Sequence, residues 1–276
     1  MTIIASLLRS AQLTDSPTAQ LDAELLLAAA LGRSRSYLRT WPERIVERDA
    51  AQRFEHYLQR RRGGEPVAYI LGQQGFWTLD LEVAPDTLIP RPETELLVEA
   101  ALALLPATPA KVLDLGTGTG AIALALASER PVWQLTAVDR VEAAVALAER
   151  NRQRLRLDNV QVLASHWFDQ LADQHFAMIL SNPPYICEHD PHLVRGDVRF
   201  EPSSALVAGR DGLSDLRQII EQAPQHLLPG GWLMLEHGYD QAAAVCALLS
   251  EQGFVEVENR VDLGGQPRVS LGRLPC

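Results

Sequence analysis

Apolar residues follow two different periods along the chain, and the change of period divides it into parts. They recur at helical spacing from Thr18 to Leu31 and from Asp49 to Arg62, and glycines follow both stretches. Branched and aromatic residues between Val67 and Val83 surround a Gly-Gln-Gln-Gly sequence, which predicts a β-hairpin. The predicted organisation is a helical N-terminal domain, a hairpin linker and a larger domain, over residues 1–66, 67–85 and 86–276.

In the larger domain, short apolar runs alternate with helical stretches. The predicted strands span residues 111–115, 133–138, 160–164, 176–181, 232–236 and 254–258, and the predicted helices span 120–129, 141–156, 213–227 and 239–252. This alternation is typical of an α/β, Rossmann-like fold, in which ligands bind at the carboxyl ends of a mostly parallel sheet. The last two apolar runs, near 253–259 and 267–273, are joined too closely for a crossover helix, so the final strand is predicted to be antiparallel.

Composition is that of an ordinary globular protein. Of the 276 residues, 47% are apolar and 22% are charged. The apolar runs fall short of the roughly 20 residues that span a bilayer, and the N-terminus has no secretory pattern. Cys187, Cys246 and Cys276 are far apart, without the spacing of a metal site or a disulfide framework. We therefore expect no metal, no membrane segment and a cytoplasmic location.

Charge is unevenly distributed. Residues 1–75 hold ten Arg against eight Asp plus Glu, whereas residues 76–276 hold fifteen basic against twenty-seven acidic residues. An acidic domain is a poor match for a phosphate backbone, so we expect no direct nucleic-acid substrate. The basic run Arg60-Arg61-Arg62 is predicted to be a solvated helix end rather than an RNA contact.

A glycine-rich turn is predicted between the first strand of the larger domain and the next helix. It reads Asp114-Leu115-Gly116-Thr117-Gly118-Thr119-Gly120, and Asp139 ends the following strand. Glycines let a ligand approach the backbone, and an acid at this position binds ribose hydroxyls. These residues predict a nucleoside cofactor without separating NAD from S-adenosylmethionine. Asp114 is predicted either to hold the cofactor's amino group or to cap the turn.

An aromatic pair follows the third strand of this domain. Trp167 and Phe168 lie where the sheet brings an adenine ring, and an indole offers an apolar face for stacking. We expect one of the two to contact the cofactor, with Trp167 the first candidate.

Asn182-Pro183-Pro184-Tyr185 follows the fourth predicted strand and indicates the chemistry. Two prolines hold the segment extended, and its carbonyl groups need donors from elsewhere. A planar NH₂ group supplies two hydrogens, one to the Asn182 side-chain oxygen and one to the Pro183 carbonyl. Holding both would aim a weakly nucleophilic nitrogen at a methyl group. Tyr185 is predicted to pack on the planar target group.

Together with the glycine loop, this motif resembles the amino-methyltransferases. Within that group, Ile89-Pro90-Arg91-Pro92-Glu93-Thr94-Glu95 and Asp197-Val198-Arg199-Phe200-Glu201-Pro202 resemble the release factor glutamine methyltransferases. The resemblance covers nearly the whole chain. It implies a class I methyltransferase-like fold, S-adenosyl-L-methionine as methyl donor, and class-1 peptide release factors as partners, methylated on the glutamine of Gly-Gly-Gln.

The resemblance also implies roles for individual residues. Carried over by position, Gly116–Gly120, Asp139, Trp167 and Asn182 would contact the cofactor, and Asn182–Tyr185 would hold the glutamine. Pro90 and Arg91 would line the mouth between the domains. His166 stands where many relatives have an acid.

Three other functions share parts of this pattern. A ribosomal-protein glutamine methyltransferase would use the same chemistry, and an adenine-specific DNA methyltransferase would present an exocyclic amino group to the same motif. A non-catalytic binding module would have no use for the amide-holding residues. We expect the chain to act as a monomer.

Two further features are predicted to be structural. His237 ends the fifth strand, and the chain's own Gly264-Gly265-Gln266 lies between two strands where a tight turn needs glycine.

Overall fold

The computed structural model describes residues 2–276 and contains two compact units. The first takes the chain up to Gln73 together with Val194–Phe200, and the second takes Gln74–Leu193 and Glu201–Cys276. No helix within residues 2–276 is long and apolar enough to cross a membrane.

The first unit is helical, as predicted. Its helices are α1 Ile4–Ser10, α2 Ala19–Leu31, α3 Arg35–Thr40, α4 Arg48–Arg62 and α5 Val67–Leu71. Leu26 and Leu27 of α2 pack with Phe54 and Leu58 of α4 in a buried apolar cluster. Gly32 ends α2 at φ 61°, a left-handed conformation that glycine adopts at little cost.

The hairpin is shorter than the sequence prediction. Val67–Leu71, predicted to be β, forms the helix α5, and the strands are β1 Gln73–Phe76 and β2 Leu79–Glu82. Gly72 ends α5 with φ 71° instead of forming the hairpin turn. Trp77, with φ 56°, lies in the turn between the two strands.

The arginine run at the end of α4 is only partly a solvated helix end: Arg62 is exposed, but Arg61 is buried, and the prediction is wrong for Arg61. Arg61 is only 8% exposed and forms ion pairs with Asp22 at 2.7 Å and Asp197 at 2.7 Å. Arg60 pairs with Glu65, and Arg62 donates to the Ala11 carbonyl. A buried guanidinium needs such partners because an unpaired buried charge is very costly.

The second unit is built on a seven-stranded sheet, and the predicted fold class is confirmed. Its strands are β3 Lys111–Leu115, β4 Gln134–Asp139, β5 Val160–Ala164, β6 Phe176–Ser181, β7 Leu227–Glu236, β8 Val255–Val261 and β9 Pro267–Arg273. The spatial order is β5-β4-β3-β6-β7-β9-β8. The first five strands in this order are parallel, and β9 is antiparallel to both β7 and β8.

Helices cover both faces of this sheet. They are α6 Glu95–Leu104, α7 Ala121–Glu129, α8 Glu142–Leu155, α9 Ser214–Gln222 and α10 Ala242–Glu251. Because successive strand residues point to opposite faces, Met178 packs in the cluster that contains Leu97 of α6, and Ile179 packs in the cluster that contains Ile219 of α9. The sequence prediction did not include α6.

The parallel strands end at one edge of the sheet. In the pairing register, Leu115 lies beside Ser181, and Ser181 lies beside Leu235. The segments that follow β3, β4, β5, β6 and β7 therefore leave the sheet together, and they carry the residues of the candidate site.

Candidate active site

A cleft lies at this edge of the sheet, and its space, counted out to open solvent, is about 900 Å³. It is lined by many of the residues predicted from sequence: Gly116, Thr117, Gly118, Thr119, Asp139, Trp167, Asn182, Pro184, Pro90 and Arg91. Other predicted residues are not part of this lining: Asp114, Gly120, Phe168, Pro183 and Tyr185.

The glycine loop joins β3 to α7 and contains three residues of positive φ. Gly116, Gly118 and Gly120 have φ values of 70°, 55° and 87°. A Cβ at Gly118 would meet no atom within 4 Å, so its missing side chain leaves open space in the cleft. A Cβ at Gly120 would lie 2.8 Å from Leu124 Cδ1, so packing against α7 already accounts for this glycine.

Asp114 lies under the loop and is fully buried. Its Oδ2 accepts hydrogen bonds from the Thr117 hydroxyl at 2.6 Å and the Ala123 amide at 3.2 Å. Its Oδ1 has no hydrogen-bond partner within residues 2–276. Burial raises the pKa of Asp114 to about 7. One oxygen thus caps the loop, which is one of the two roles predicted for Asp114, while contact of the other oxygen with the cofactor's amino group stays a prediction.

Asp139 ends β4 and braces the loop from the neighbouring strand. Its Oδ2 accepts from the Gly118 amide at 3.0 Å, and its Oδ1 accepts from the Val141 amide at 2.9 Å. A carboxylate offers about four lone-pair sites, so acceptor capacity remains for ribose hydroxyls.

Trp167 forms one wall of the cleft. It adopts a positive φ of 45°, and its ring lies against Gly116, where an added Cβ would be 3.4 Å from Cζ3. The indole Nε1 is buried without a hydrogen-bond partner among the described residues. The preceding His166 also lines the cleft.

Phe168, the second aromatic candidate, is accounted for by protein packing. Its ring stacks on His226 with centroids 4.5 Å apart. The two rings are 11° from parallel. Phe168 also belongs to the apolar cluster on the α9 face of the sheet. Contacts within the protein therefore explain the position of Phe168 without any contact to a cofactor.

Asn182 is anchored by a residue from the start of α6. Its Nδ2 donates to the Thr94 hydroxyl oxygen at 3.1 Å. An amide has its oxygen opposite its NH₂ group, so Oδ1 is left to accept hydrogen bonds from elsewhere. Asn182 itself lines the cleft. The next residue, Pro183, is buried.

Tyr185 directs its hydroxyl to a buried acid. The hydroxyl donates to Glu236 Oε1 at 3.3 Å. Burial raises the pKa of Tyr185 above its usual value, with a further contribution from the Glu236 charge, so the phenol stays protonated. The Tyr185 carbonyl accepts from Gln241 Nε2 at 3.0 Å, which fixes the end of the motif.

Arg91 lines the cleft and forms an ion pair with Glu201. Its Nη2 lies 2.7 Å from Oε2 of Glu201, whose side chain is fully buried. This pair joins the two motifs that carry the family resemblance.

His237 is held within the sheet. Its Nε2 lies 2.8 Å from the Ser270 hydroxyl and its Nδ1 lies 2.8 Å from the Gly238 carbonyl oxygen. It is fully buried, and burial lowers its pKa. Both ring nitrogens are occupied by structural partners, which agrees with the structural role predicted for His237.

Two residues beside the motif had no assigned role in the sequence interpretation. Thr94 belongs to the motif Ile89–Glu95, and Glu236 is an acid at the end of an otherwise apolar strand. The carboxyl group of Glu236 at the end of an apolar strand is the sequence feature by which this residue could have been recognised.

The side chains of the cleft match the chemical groups of S-adenosylmethionine. A methyl donor of this kind carries a cationic amino group, ribose hydroxyls and an adenine. Asp114 Oδ1 is a buried acceptor without a partner within residues 2–276, Asp139 keeps free lone pairs, and the Trp167 ring lines the cleft. These three residues would hold the three parts of the donor.

Solved structures share the fold. A methyltransferase from Pyrococcus furiosus aligns with a TM-score of 0.57 over 80% of this chain and 100% of its own, at 18% identity. The 16S rRNA N2 G1207 methyltransferase of T. thermophilus, in complex with AdoMet and guanosine, aligns with a TM-score of 0.51 over 73% of this chain and 49% of its own, at 22% identity. Residues 92–196 match the methyltransferase small domain family. The fold and the cleft thus define an S-adenosylmethionine-dependent methyltransferase.

Sequence relatives define the family of the chain more narrowly than the fold does. Residues 6–72 match the PrmC N-terminal domain family. The release factor glutamine methyltransferase of Pseudomonas aeruginosa is 69% identical over the full length of both chains. The Escherichia coli protein of the same name is 52% identical over 95% of each chain. The chain belongs to the release factor glutamine methyltransferase family.

Proposed function

We propose that the protein transfers a methyl group from S-adenosylmethionine to the side-chain amide nitrogen of the glutamine in the Gly-Gly-Gln motif of class-1 release factors. The observation that carries this proposal is the arrangement of Asn182. Its NH₂ group is anchored on Thr94 while the residue lines the same cleft as the glycine loop. The names of the relatives support the release factor as substrate.

Recognition of the amide would depend on two acceptors. Asn182 Oδ1 would accept one amide hydrogen and the Pro183 carbonyl the other, as two consecutive acceptors on one rigid segment. With both hydrogens held in the amide plane, the nitrogen lone pair lies perpendicular to that plane, where the methyl group of S-adenosylmethionine can approach it. Such positioning is the main catalytic contribution available. An amide nitrogen is a weak nucleophile, and holding it in the correct orientation can speed the reaction without a strong base.

The chemical step is a balanced transfer. S-adenosylmethionine supplies an electrophilic methyl group and leaves as S-adenosyl-L-homocysteine. A nitrogen–carbon bond forms, a sulfur–carbon bond breaks, and one amide proton passes to water. Tyr185 would pack against the planar amide and exclude water from the reacting atoms.

The closest competing functions differ in the acceptor. A ribosomal-protein glutamine would satisfy the same two acceptors, and so would the amino group of a flipped adenine. Residues 76–276 hold twenty-seven acidic against fifteen basic residues, which opposes a DNA substrate. Alongside the motifs at Ile89–Glu95 and Asp197–Pro202, the relatives' names favour the release factor.

The decisive experiment is a labelling assay with purified substrates. The protein is incubated with labelled S-adenosylmethionine and a class-1 release factor, in parallel with a factor whose Gly-Gly-Gln glutamine is replaced by alanine. We expect label on the intact factor and none on the replaced one, with mass spectrometry placing the methyl on the glutamine. Label that persists in the replaced factor, or that goes instead to adenine-containing DNA or a ribosomal protein, would disprove the proposal.

A further inference from the structure

S-adenosylmethionine carries a carboxylate that the three residues matched to it above leave without a partner. Asp114, Asp139 and Trp167 match its amino group, its ribose hydroxyls and its adenine. A carboxylate that enters a cleft loses water and needs hydrogen-bond donors in return. A guanidinium group is well suited to this, because its planar array of N–H groups matches the two carboxylate oxygens.

Two arginines line the cleft, and the sheet places them on opposite sides of the glycine loop. Strand β3, which leads into the loop, lies between β4 and β6. Arg140 directly follows Asp139 at the end of β4. Arg91 lies on the β6 side: its carbonyl accepts from the Thr94 amide at 3.1 Å, and the Thr94 hydroxyl accepts from Asn182, which follows β6.

The chemical structure of the donor distinguishes between these two arginines. Its carboxylate and its amino group are bonded to the same carbon atom, whereas its ribose lies on the other side of the sulfur. The amino group is matched to Asp114 of β3 and the ribose to Asp139 of β4. The carboxylate therefore belongs at the Asp114 end of the cleft, away from Arg140, and Arg91 is the arginine on that side.

Arg91 is held by Glu201 in a way that leaves donors for a ligand. Its Nη2 lies 2.8 Å from Oε1 and 2.7 Å from Oε2 of Glu201. The Glu201 side chain is fully buried, whereas the Arg91 side chain is 33% exposed. A guanidinium has five N–H groups, and those on Nε and Nη1 form no hydrogen bond within residues 2–276. One guanidinium can thus bridge the buried acid and the carboxylate of a ligand.

We propose that Arg91, fixed in place by Glu201, binds the carboxylate of the methyl donor. The proposal rests on the donor part of the proposed function and does not depend on the identity of the methyl acceptor. Asp114 and Arg91 would then recognise the two opposite charges at the amino-acid end of S-adenosylmethionine. It follows that a donor without a carboxylate should bind less tightly, and that this preference should depend on Arg91.

The test measures the dissociation constants of two ligands by calorimetry at pH 8. One is S-adenosylmethionine, and the other is decarboxylated S-adenosylmethionine, which keeps the amino group, the sulfonium, the ribose and the adenine. The wild type should bind the intact donor at least about tenfold more tightly, the effect of charge-assisted hydrogen bonds. Arg91→Met should weaken binding of the intact donor at least about tenfold and leave that of the decarboxylated donor within about twofold.

Arg140→Met is the matched control, because it removes the other guanidinium of the same cleft. It should keep the tenfold preference for the intact donor. Equal weakening of both ligands by Arg91→Met would indicate a structural role and overturn the proposal. So would an unchanged preference in Arg91→Met, its loss in Arg140→Met, or a wild type without it. A wild-type chain that binds neither ligand would instead disprove the proposed function.

A second variant keeps the test decisive if Arg91→Met does not fold, since that substitution removes an ion-pair partner from the buried Glu201 carboxylate. Combining Arg91→Met with Glu201→Leu removes both charges, and apolar replacement of a whole buried ion pair is often tolerated. The double variant should show the same loss of preference between the two ligands. A folded double variant that still binds the intact donor tenfold more tightly would contradict the role of Arg91.

Discussion

Asp114 shows how one buried carboxyl can serve both the loop and a ligand. Its Oδ2 accepts hydrogen bonds within the protein, and its Oδ1 lacks a partner in the part of the chain that the structure describes, while burial raises its pKa to about 7. In the free protein at pH 7 the group is therefore about half protonated. A cationic amino group placed beside Oδ1 would favour the carboxylate and lower this pKa.

Donor binding should accordingly release a proton. We expect about half a proton per site at pH 7, falling toward zero at pH 9 where Asp114 is already ionised. The measurement is calorimetry of S-adenosylmethionine binding in buffers that differ in ionisation enthalpy. Asp114→Asn, which keeps the shape of the side chain, is the matched control for protons taken up by the donor's own amino group, and it should release about half a proton less than the wild type at pH 7. Equal proton release by both proteins would remove Asp114 from this role.

Among the single substitutions, Asn182→Ala is expected to lower activity the most. Asn182→Ala removes the acceptor for one amide hydrogen, so kcat/KM should fall at least roughly 100-fold. Donor affinity should fall much less, because the glycine loop, Asp114 and Asp139 remain. Initial rates with release factor and calorimetry with the donor measure the two quantities. Near-normal turnover in this variant would contradict the role of Asn182 in holding the amide.

At the scale of elements, the loop that precedes α9 supports the substrate motif from behind. Gly212 has φ 72°, and a Cβ at this position would overlap the Tyr185 carbonyl oxygen. Gln241 Nε2 donates to both the Tyr185 and the Gly212 carbonyl groups, at 3.0 Å and 3.2 Å. The position of the motif thus depends on a glycine that is thirty residues away in sequence.

Gly212→Ala should displace the motif. We expect kcat to fall at least about tenfold, because small errors of position are costly in a reaction that depends on orientation. Gly253→Ala is the matched control, since Gly253 has φ 93° and no atom within 4 Å of an added Cβ. Both variants should lose about 1–2 kcal/mol of stability from left-handed backbone strain. Equal kcat values in the two variants would show that contact with Tyr185 does not matter.

Periodicity predicted the sheet well and the hairpin poorly, for a physical reason. The strands at Lys111–Leu115 and Phe176–Ser181 have the predicted bounds because buried parallel strands are short, nearly uninterrupted apolar runs. The edge strand Val160–Ala164 is partly exposed but also has the predicted bounds. Val67–Leu71 has a strand-like composition but forms a helix. Pro66 before it and Gly72 after it are helix start and stop signals that outweigh composition in so short a segment.

Side-chain networks were harder to predict than elements. The glycine loop and the Asn-Pro-Pro-Tyr motif are contiguous, so a sequence displays them directly. Tyr185 and Glu236 come from separate elements, as do Asn182 and Thr94, and only the fold brings each pair together. The same holds for Arg61, whose partner Asp197 lies 136 residues away.

At the scale of the whole molecule, the chain contains a copy of the triplet that it is proposed to modify. The turn with Gly264-Gly265-Gln266 lies at the same edge of the sheet as the cleft, since Val269 of β9 pairs with Glu236 of β7. Gln266 is exposed. Location and exposure alone would therefore permit methylation of this glutamine.

The backbone of the turn argues against it. The Gln266 amide donates to Asp262 Oδ1 at 2.9 Å, its carbonyl accepts from the Asp262 amide at 2.8 Å, and Pro267 follows. A glutamine held in a hairpin cannot extend into a cleft without breaking these bonds, at a cost of about 0.5–1.5 kcal/mol for each. We expect mass spectrometry to find Gln266 unmodified, both as purified and after incubation with donor, while release factor in the same reaction is labelled. A methyl group on Gln266, absent from a Gln266→Ala chain, would show that the triplet is accepted even when the hairpin constrains it.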